Sequence, residues 1–431
     1  MLYQAYQAQS DIMDPLRKFA NMAAETVGAK LNGSARPSGL SNLNAAYELI
    51  ARAGLTHTRP EYGIDSVMVG NREVAVTEEA ALVTPFATLR HFKKDVDQEQ
   101  PRVLLIAPLS GHFATLLRAT VRTMLAEHDV YITDWHNARD VPLSDGPFSF
   151  DSYTAHLIRF LETIGPGAHM VAVCQPCVSA LVAASVMAMG DHPAQPRSMT
   201  LMAGPIDTRV NPTKVNELAK SKPMEWFEKK MIATVPSRYP GGGRRVYPGF
   251  VQLTAFMSMN MDRHVKAHRE LYENIAKGET AKAATTKAFY DEYFAVLDLA
   301  SEFYLETVQL VFQDHALPLG QLTYEGVKVE PAAIKRTIAV HGRRREGRHL
   351  RCRPDARRAR PVHVTAAVSQ AAPYAGRRRP LWRVLGADLA EPNLSDGQER
   401  HPAERLTARV GATGRPASAG TRCRRDSAGR R

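Results

Sequence analysis

The chain has 431 residues, 44% apolar and 23% charged, which allows two or three domains or one large α/β domain carrying an insertion. Its net charge of +12 is unevenly placed: His341 to Arg431 holds 22 Arg, no Lys and 8 acidic residues, a net of +14, while residues 1–340 carry 34 basic and 36 acidic groups, a net of −2. That distribution excludes nucleic-acid binding as a default role for the body, and the four cysteines are too few for a disulfide framework and point to a reducing compartment.

Met1 to Tyr6 lacks the basic and apolar regions of a signal peptide. Val67–Val69 and Glu73–Val76 read as short strands joined by a Gly70-Asn71 turn. Val103–Ala107 is a continuous apolar run, as expected of a strand buried on both faces, and a helix follows from Ala114 to Glu127. Val130–Thr133 is the next strand. Phe150–Ile164 is a helix, with Tyr153, Leu157, Phe160, Leu161 and Ile164 at helical spacing. Met170 to Gly190 is charge-free over 21 residues, long enough to span a bilayer. The Gln175-Pro176 pair near its start, and its Ala, Ser and Val content, favour a buried strand followed by a buried helix. Ser198–Met202 is a further strand. From there to His315 the pattern turns helical and rich in Met and aromatics. Such a stripe reads first as plain core, yet its place inside a parallel-sheet protein suggests a lid. Gly241-Gly242-Gly243 reads as a flexible loop, because the Lys-Ser/Thr of a phosphate cradle is missing.

Alternation of strands and helices predicts a mostly parallel sheet covered on both faces. The predicted organisation is an N-terminal helical segment (1–62), an α/β core with the chemical turn (63–207), a helical lid (208–320) and the start of a returning core (321–340). An Arg-rich, Lys-free tail (341–431) completes it. Downstream of Val340 there is no Ile, Phe, Met or Lys, so a packed core is not expected there. Two readings fit that tail: a disordered basic arm that touches polyanions, or a GC-rich gene read out of frame.

The chemistry concentrates at Val173-Cys174-Gln175-Pro176-Cys177, between a buried strand and a helix. A nucleophile on such a turn projects above the sheet. The helix N-terminus beneath it is expected to lower the Cys174 pKa. The Gln175 N–H is the expected oxyanion donor, with a second donor from the Ser110-Gly111-His112 loop. Pro176 is expected at the first helical position. A redox or metal Cys-x-x-Cys pair is the competing reading. It lacks a thioredoxin-like context, and no further ligands stand at zinc spacing.

With this turn go several other segments, in order: Pro15-Leu16-Arg17, Pro108 to Arg118, Tyr131 to Arg139, Gly204-Pro205-Ile206-Asp207-Thr208-Arg209, and Phe312-Gln313-Asp314-His315. Together they resemble the intracellular poly(3-hydroxybutyrate) depolymerases, bacterial enzymes that mobilise stored polyester, from the N-terminus to about Val340. The resemblance implies an α/β-hydrolase fold, attack by Cys174 on a polymer ester, and a thioester then cleaved by water. It also implies a Cys-Asp-His triad, with the acid after the strand that follows the lid and the base in a Gly-His pair near the C-terminus. Neither can be placed: the only Gly-His pair is Gly111-His112, and past Val340 the chain reads His341-Gly342-Arg343. Asp207, His136 and His315 are substitutes to consider, each with a structural reading beside it. Resemblance stopping where composition changes favours the out-of-frame account of the tail. No metal or organic cofactor is implied. The expected partner is the polymer or its granule surface in the cytoplasm, with no specific nucleic acid and no transmembrane segment; oligomeric state is not legible. Alternatives are a polyhydroxyalkanoate synthase-like acyltransferase, which Ala172 and Pro176 disfavour because synthases place glycines there, and a non-catalytic granule-binding protein.

Overall fold

Helices α1 (Leu2–Lys30) and α2 (Ser38–Arg52) open the chain and pack along one another. The computed structural model describes residues 2–31, 38–96, 99–210 and 212–341. Expectations for the tail, including Cys352 and Cys423, therefore lie outside the described residues.

A hairpin follows, of β1 (Ser66–Val69) and β2 (Arg72–Val83), and then β3 (Ala87–Lys94). Sequence reasoning does not anticipate β3. Arg90, His91, Lys93 and Lys94 interrupt its apolar run, although Leu89 and Phe92 are fully buried. The central strands are β4 (Arg102–Ile106), β5 (Asp129–Trp135), β6 (His169–Val173), β7 (Ser198–Met202) and β8 (Ile338–His341). One eight-stranded sheet results, in the order β1-β2-β3-β5-β4-β6-β7-β8. The leading pairs are antiparallel, and everything from β5 to β8 is parallel.

Period-two alternation sorts the side chains between two cores. Leu104 and Ile106 of β4 join Met170 and Ala172 of β6 in a cluster with α4 (Phe150–Ile164) and α5 (Cys177–Met189). Val103 and Leu105 point the other way, to a cluster with α3 (Arg118–Leu125). The expected helix from Ala114 is thus divided, since Ala114–Leu117 forms a separate 3-10 turn. Ser149 caps α4 by accepting the Ser152 N–H, and Gly165 ends it at φ +88°. The charge-free stretch resolves into β6 and α5. Helix α5 is buried on nearly every side, so its apolarity serves the core. No described helix is long and apolar enough to cross a membrane.

Between β7 and β8 lies a mainly helical insertion: α6 (Lys214–Ser221), α7 (Met224–Met231), α8 (Gly249–Met259), α9 (Met261–Lys277), α10 (Thr280–Tyr293) and α11 (Ser301–Thr307). A small sheet of Ala233–Thr234, Arg245–Tyr247 and Leu299–Ala300 braces it. The glycine run is no loose loop. A Cβ on Gly241 would stand 2.6 Å from the Arg139 carbonyl, and the Gly241 N–H donates to that oxygen at 2.9 Å.

The chain leaves β4 toward β5 on one side and β6 toward β7 on the other, so a crevice opens at their carboxyl ends. Open α/β sheets place ligands at such a switch point. This strand order, with helices on both faces and an insertion before the last described strand, is the α/β-hydrolase fold.

Candidate active site

Strand β6 ends at Val173 and α5 begins at Cys177, leaving a three-residue turn. Cys174 takes φ +68°, a left-handed conformation that costs a non-glycine residue about 1–3 kcal/mol. Strand β7 and the start of α5 hold it there: the Cys174 N–H donates to the Met202 carbonyl at 2.8 Å, and the Cys177 N–H to the Cys174 carbonyl at 3.2 Å. Pro176 falls one position before the helix, as its N-cap, so its missing N–H still costs nothing. The two cysteines have opposite surroundings. Cys174 is exposed and Cys177 buried, both as free thiols. The Cys177 thiol donates weakly to the carbonyls of Ala172 and Met202, at 3.4 and 3.6 Å. Gly204 presses on it so closely that a Cβ there would lie 2.1 Å from the Cys177 Cβ.

Contrary to the expectation from the helix N-terminus, the Cys174 thiol is held above its ordinary pKa. Although the residue reaches solvent, the protein around it desolvates the sulfur and penalises the thiolate, and the Gln175 N–H against it only partly offsets this. Among the described residues, no charged group bears on its ionisation. The Gln175 side chain is buried with both ends of its carboxamide unpaired among the described residues.

Beside the elbow, after β4, runs the Ser110-Gly111-His112 loop. Gly111 has φ +89° and its carbonyl accepts the Leu297 N–H at 3.0 Å. His112 bridges to Val296, and its Nε2 lies 3.2 Å from the Tyr293 carbonyl. Burial pushes the His112 pKa down to about 4. The insertion thus clamps this loop. Gln252, on α8, is a residue that sequence reasoning missed. Its side chain would stand 3.0 Å from a Cβ on Gly111, and its Oε1 is buried and unpaired among the described residues. A lone polar residue in the apolar run Phe250-Val251-Gln252-Leu253 was the available signal.

The other candidate groups are engaged elsewhere. His136 is held between Thr88 at 2.8 Å and the Pro85 carbonyl at 2.9 Å. Asp207 is clasped by Arg209 at 2.8 Å, which keeps its carboxyl below the usual range. His315 sits 3.0 Å from Thr208, so two of the sequence motifs meet there. Gln313 of the same motif donates to the carbonyls of Ala219 and Lys222, and Trp135 Nε1 donates to the Ala107 carbonyl. Asn137 Oδ1 accepts the Asp298 N–H at 2.9 Å, tying the insertion to the sheet edge. Among the described residues, no imidazole or carboxylate bonds the Cys174 thiol, and no cluster of His, Cys, Asp and Glu could hold a metal ion.

Residues 203–346, from the turn after β7 through β8, match the family described as PHB de-polymerase C-terminus. Over this segment the chain is similar to the PHB depolymerases. The match takes in Thr208, Gln313, His315 and the whole helical insertion, and it makes an ester hydrolase the coarse assignment. No curated protein matches the chain. Among solved structures, similarity extends to a CIB-like hydrolase from Thermoplasma acidophilum, at 11% identity and TM-score 0.23 over 30% of this chain and 64% of that one. It extends also to a 2-hydroxy-6-oxo-6-phenylhexa-2,4-dienoate hydrolase from Rhodococcus sp. strain RHA1, at 12% identity and TM-score 0.33 over 63% and 82%. A naproxen esterase from Bacillus subtilis follows at 12% and 0.21 over 40% and 52%. This chain spans just under two thirds of the first protein and about half of the third. These likenesses are too distant to carry function to this chain.

Proposed function

We propose that this chain is built as an intracellular depolymerase of stored poly(3-hydroxybutyrate), with Cys174 as its nucleophile. The observation that carries the reading is the left-handed Cys174 at the β6–α5 turn, within a chain whose following segment matches the depolymerase family. In this reading the Cys174 sulfur attacks an ester carbonyl of the polymer, and the carbonyl oxygen takes up negative charge. Gln175 and the Ser110 loop supply the N–H groups that meet that charge. Collapse expels the alcohol end of the cut chain and leaves a thioester on Cys174, which water then hydrolyses. The insertion serves as a lid, and the granule surface in the cytoplasm is the site of action.

Acid and base remain unassigned. The described residues around the thiol supply no charged partner, and both attack and deacylation need a base. The expected result is little or no release of 3-hydroxybutyrate from amorphous granules by the 431-residue chain. Release is expected from a chain returned to the depolymerase reading frame after Val340, and that release should be abolished by Cys174→Ala. A reframed chain that leaves granules intact contradicts the proposal.

A further inference from the structure

A cavity of about 600 Å³ opens between α1, α2 and the helices α8, α9 and α10, within the size range of small-ligand sites. Its wall is mainly aliphatic and aromatic, with Leu49, Leu55, Leu253, Met257, Leu271 and Phe294 among the lining residues. Among the described residues, the charged lining groups are of one sign: Arg17, Arg52 and Lys287 are present, and no Asp or Glu lines the cavity. Their partners Asp14, Asp291 and Glu48 stand outside the lining. The Arg52–Asp291 pair is exposed and worth about 0–1 kcal/mol; Arg17 and Lys287 are partly buried beside Asp14 and Glu48, and each keeps N–H donors beyond that one pair for an incoming anion. Gly54 leaves room for the Arg17 side chain, which a Cβ would meet at 2.8 Å, and Arg17 Nε donates to the Ala53 carbonyl. Gln9 and Ser10 add uncharged polar groups to the wall.

An apolar wall whose charged groups are all cations suits an amphiphilic carboxylate. A bare hydrocarbon would leave the cations unused, and a polyanion would leave the wall unused. Helix α8 connects this cavity to the candidate active site. Phe250, Leu253 and Met257 face the cavity, while Gln252 on the same helix lies against Gly111. We propose that the cavity binds the carboxylate end of a linear 3-hydroxybutyrate oligomer, with the carboxylate among Arg17, Arg52 and Lys287 and the methyl groups against the leucines. The choice of oligomer over other amphiphilic acids rests on the depolymerase reading. Its ester carbonyls can accept from Ser10 and Gln9, a match that a plain alkyl chain lacks.

The test is isothermal titration of the linear trimer into the full chain carrying Cys174→Ala, which cannot form the thioester. A failed depolymerase assay and a failed binding assay are then separate results. Saturable binding is expected, weakened about tenfold when Arg17→Gln and Lys287→Gln are combined in a chain of unchanged thermal midpoint. The trimer methyl ester is expected to bind about tenfold more weakly than the acid, for the same reason. Absence of saturable binding, equal binding of acid and methyl ester, or binding of decanoate but not of the trimer would each overturn the proposal.

Discussion

At Cys174 two opposing influences meet: a helix start that favours a thiolate and a protein surround that disfavours it. The surround prevails, and the pKa is raised. Alkylation of Cys174 by iodoacetamide should therefore climb with pH and show its inflection above the ordinary thiol range, with Cys177 unlabelled until the chain unfolds. An inflection near neutral pH would reveal an imidazolium partner and contradict this description. Gly204 packs against the elbow from below, and its missing side chain lets Cys177 fit there. Gly204→Ala should lower the free energy of unfolding by about 2–3 kcal/mol, as overpacking of a filled core does, measured by urea denaturation. An unchanged midpoint would mean the backbone there yields freely.

The loop after β4 and the insertion form one unit, joined through Gly111, His112 and the segment Tyr293–Leu297. His112 carries the pH dependence of that joint. Its folded pKa of about 4 lies below the ordinary 6.5, so its contribution to stability is complete above pH 6.5 and is lost as pH falls toward 4. The loss reaches about 3 kcal/mol across that pH interval. His112→Gln should flatten the fall of stability across that window; an unchanged slope would place the titrating group elsewhere. Legibility in the sequence follows the same division into local and non-local features. Strands β4, β6 and β7 are visible as apolar runs because they are buried on both faces, and the elbow is visible because strand and helix adjoin within a few residues. Strand β3 is hidden by its charged residues. Gln252 against Gly111 depends on how the insertion folds back, which no local pattern encodes. The place of Gln313, bonded to two carbonyls at the end of α6, is hidden for the same reason.

At the scale of the whole molecule, the sheet brings the carboxyl ends of β4 and β6 together, and the insertion between β7 and β8 reaches over to clamp the loop beside them. Charge is divided as sharply as structure: the body is near neutral, and the basic excess lies wholly past Val340. The fold class was readable from alternating strands and helices, whereas acid and base were not, because nothing near Cys174 in sequence or in the described fold supplies them. The central claim is that Cys174 is the group acylated by the substrate. Its most direct test is mass spectrometry of the 431-residue chain after exposure to an activated 3-hydroxybutyryl ester, beside Cys174→Ala. The account predicts one acyl group on the peptide containing Cys174, released only slowly, and none at that position in the variant. An adduct on another residue with Cys174 left free, or steady turnover that survives Cys174→Ala, would contradict it.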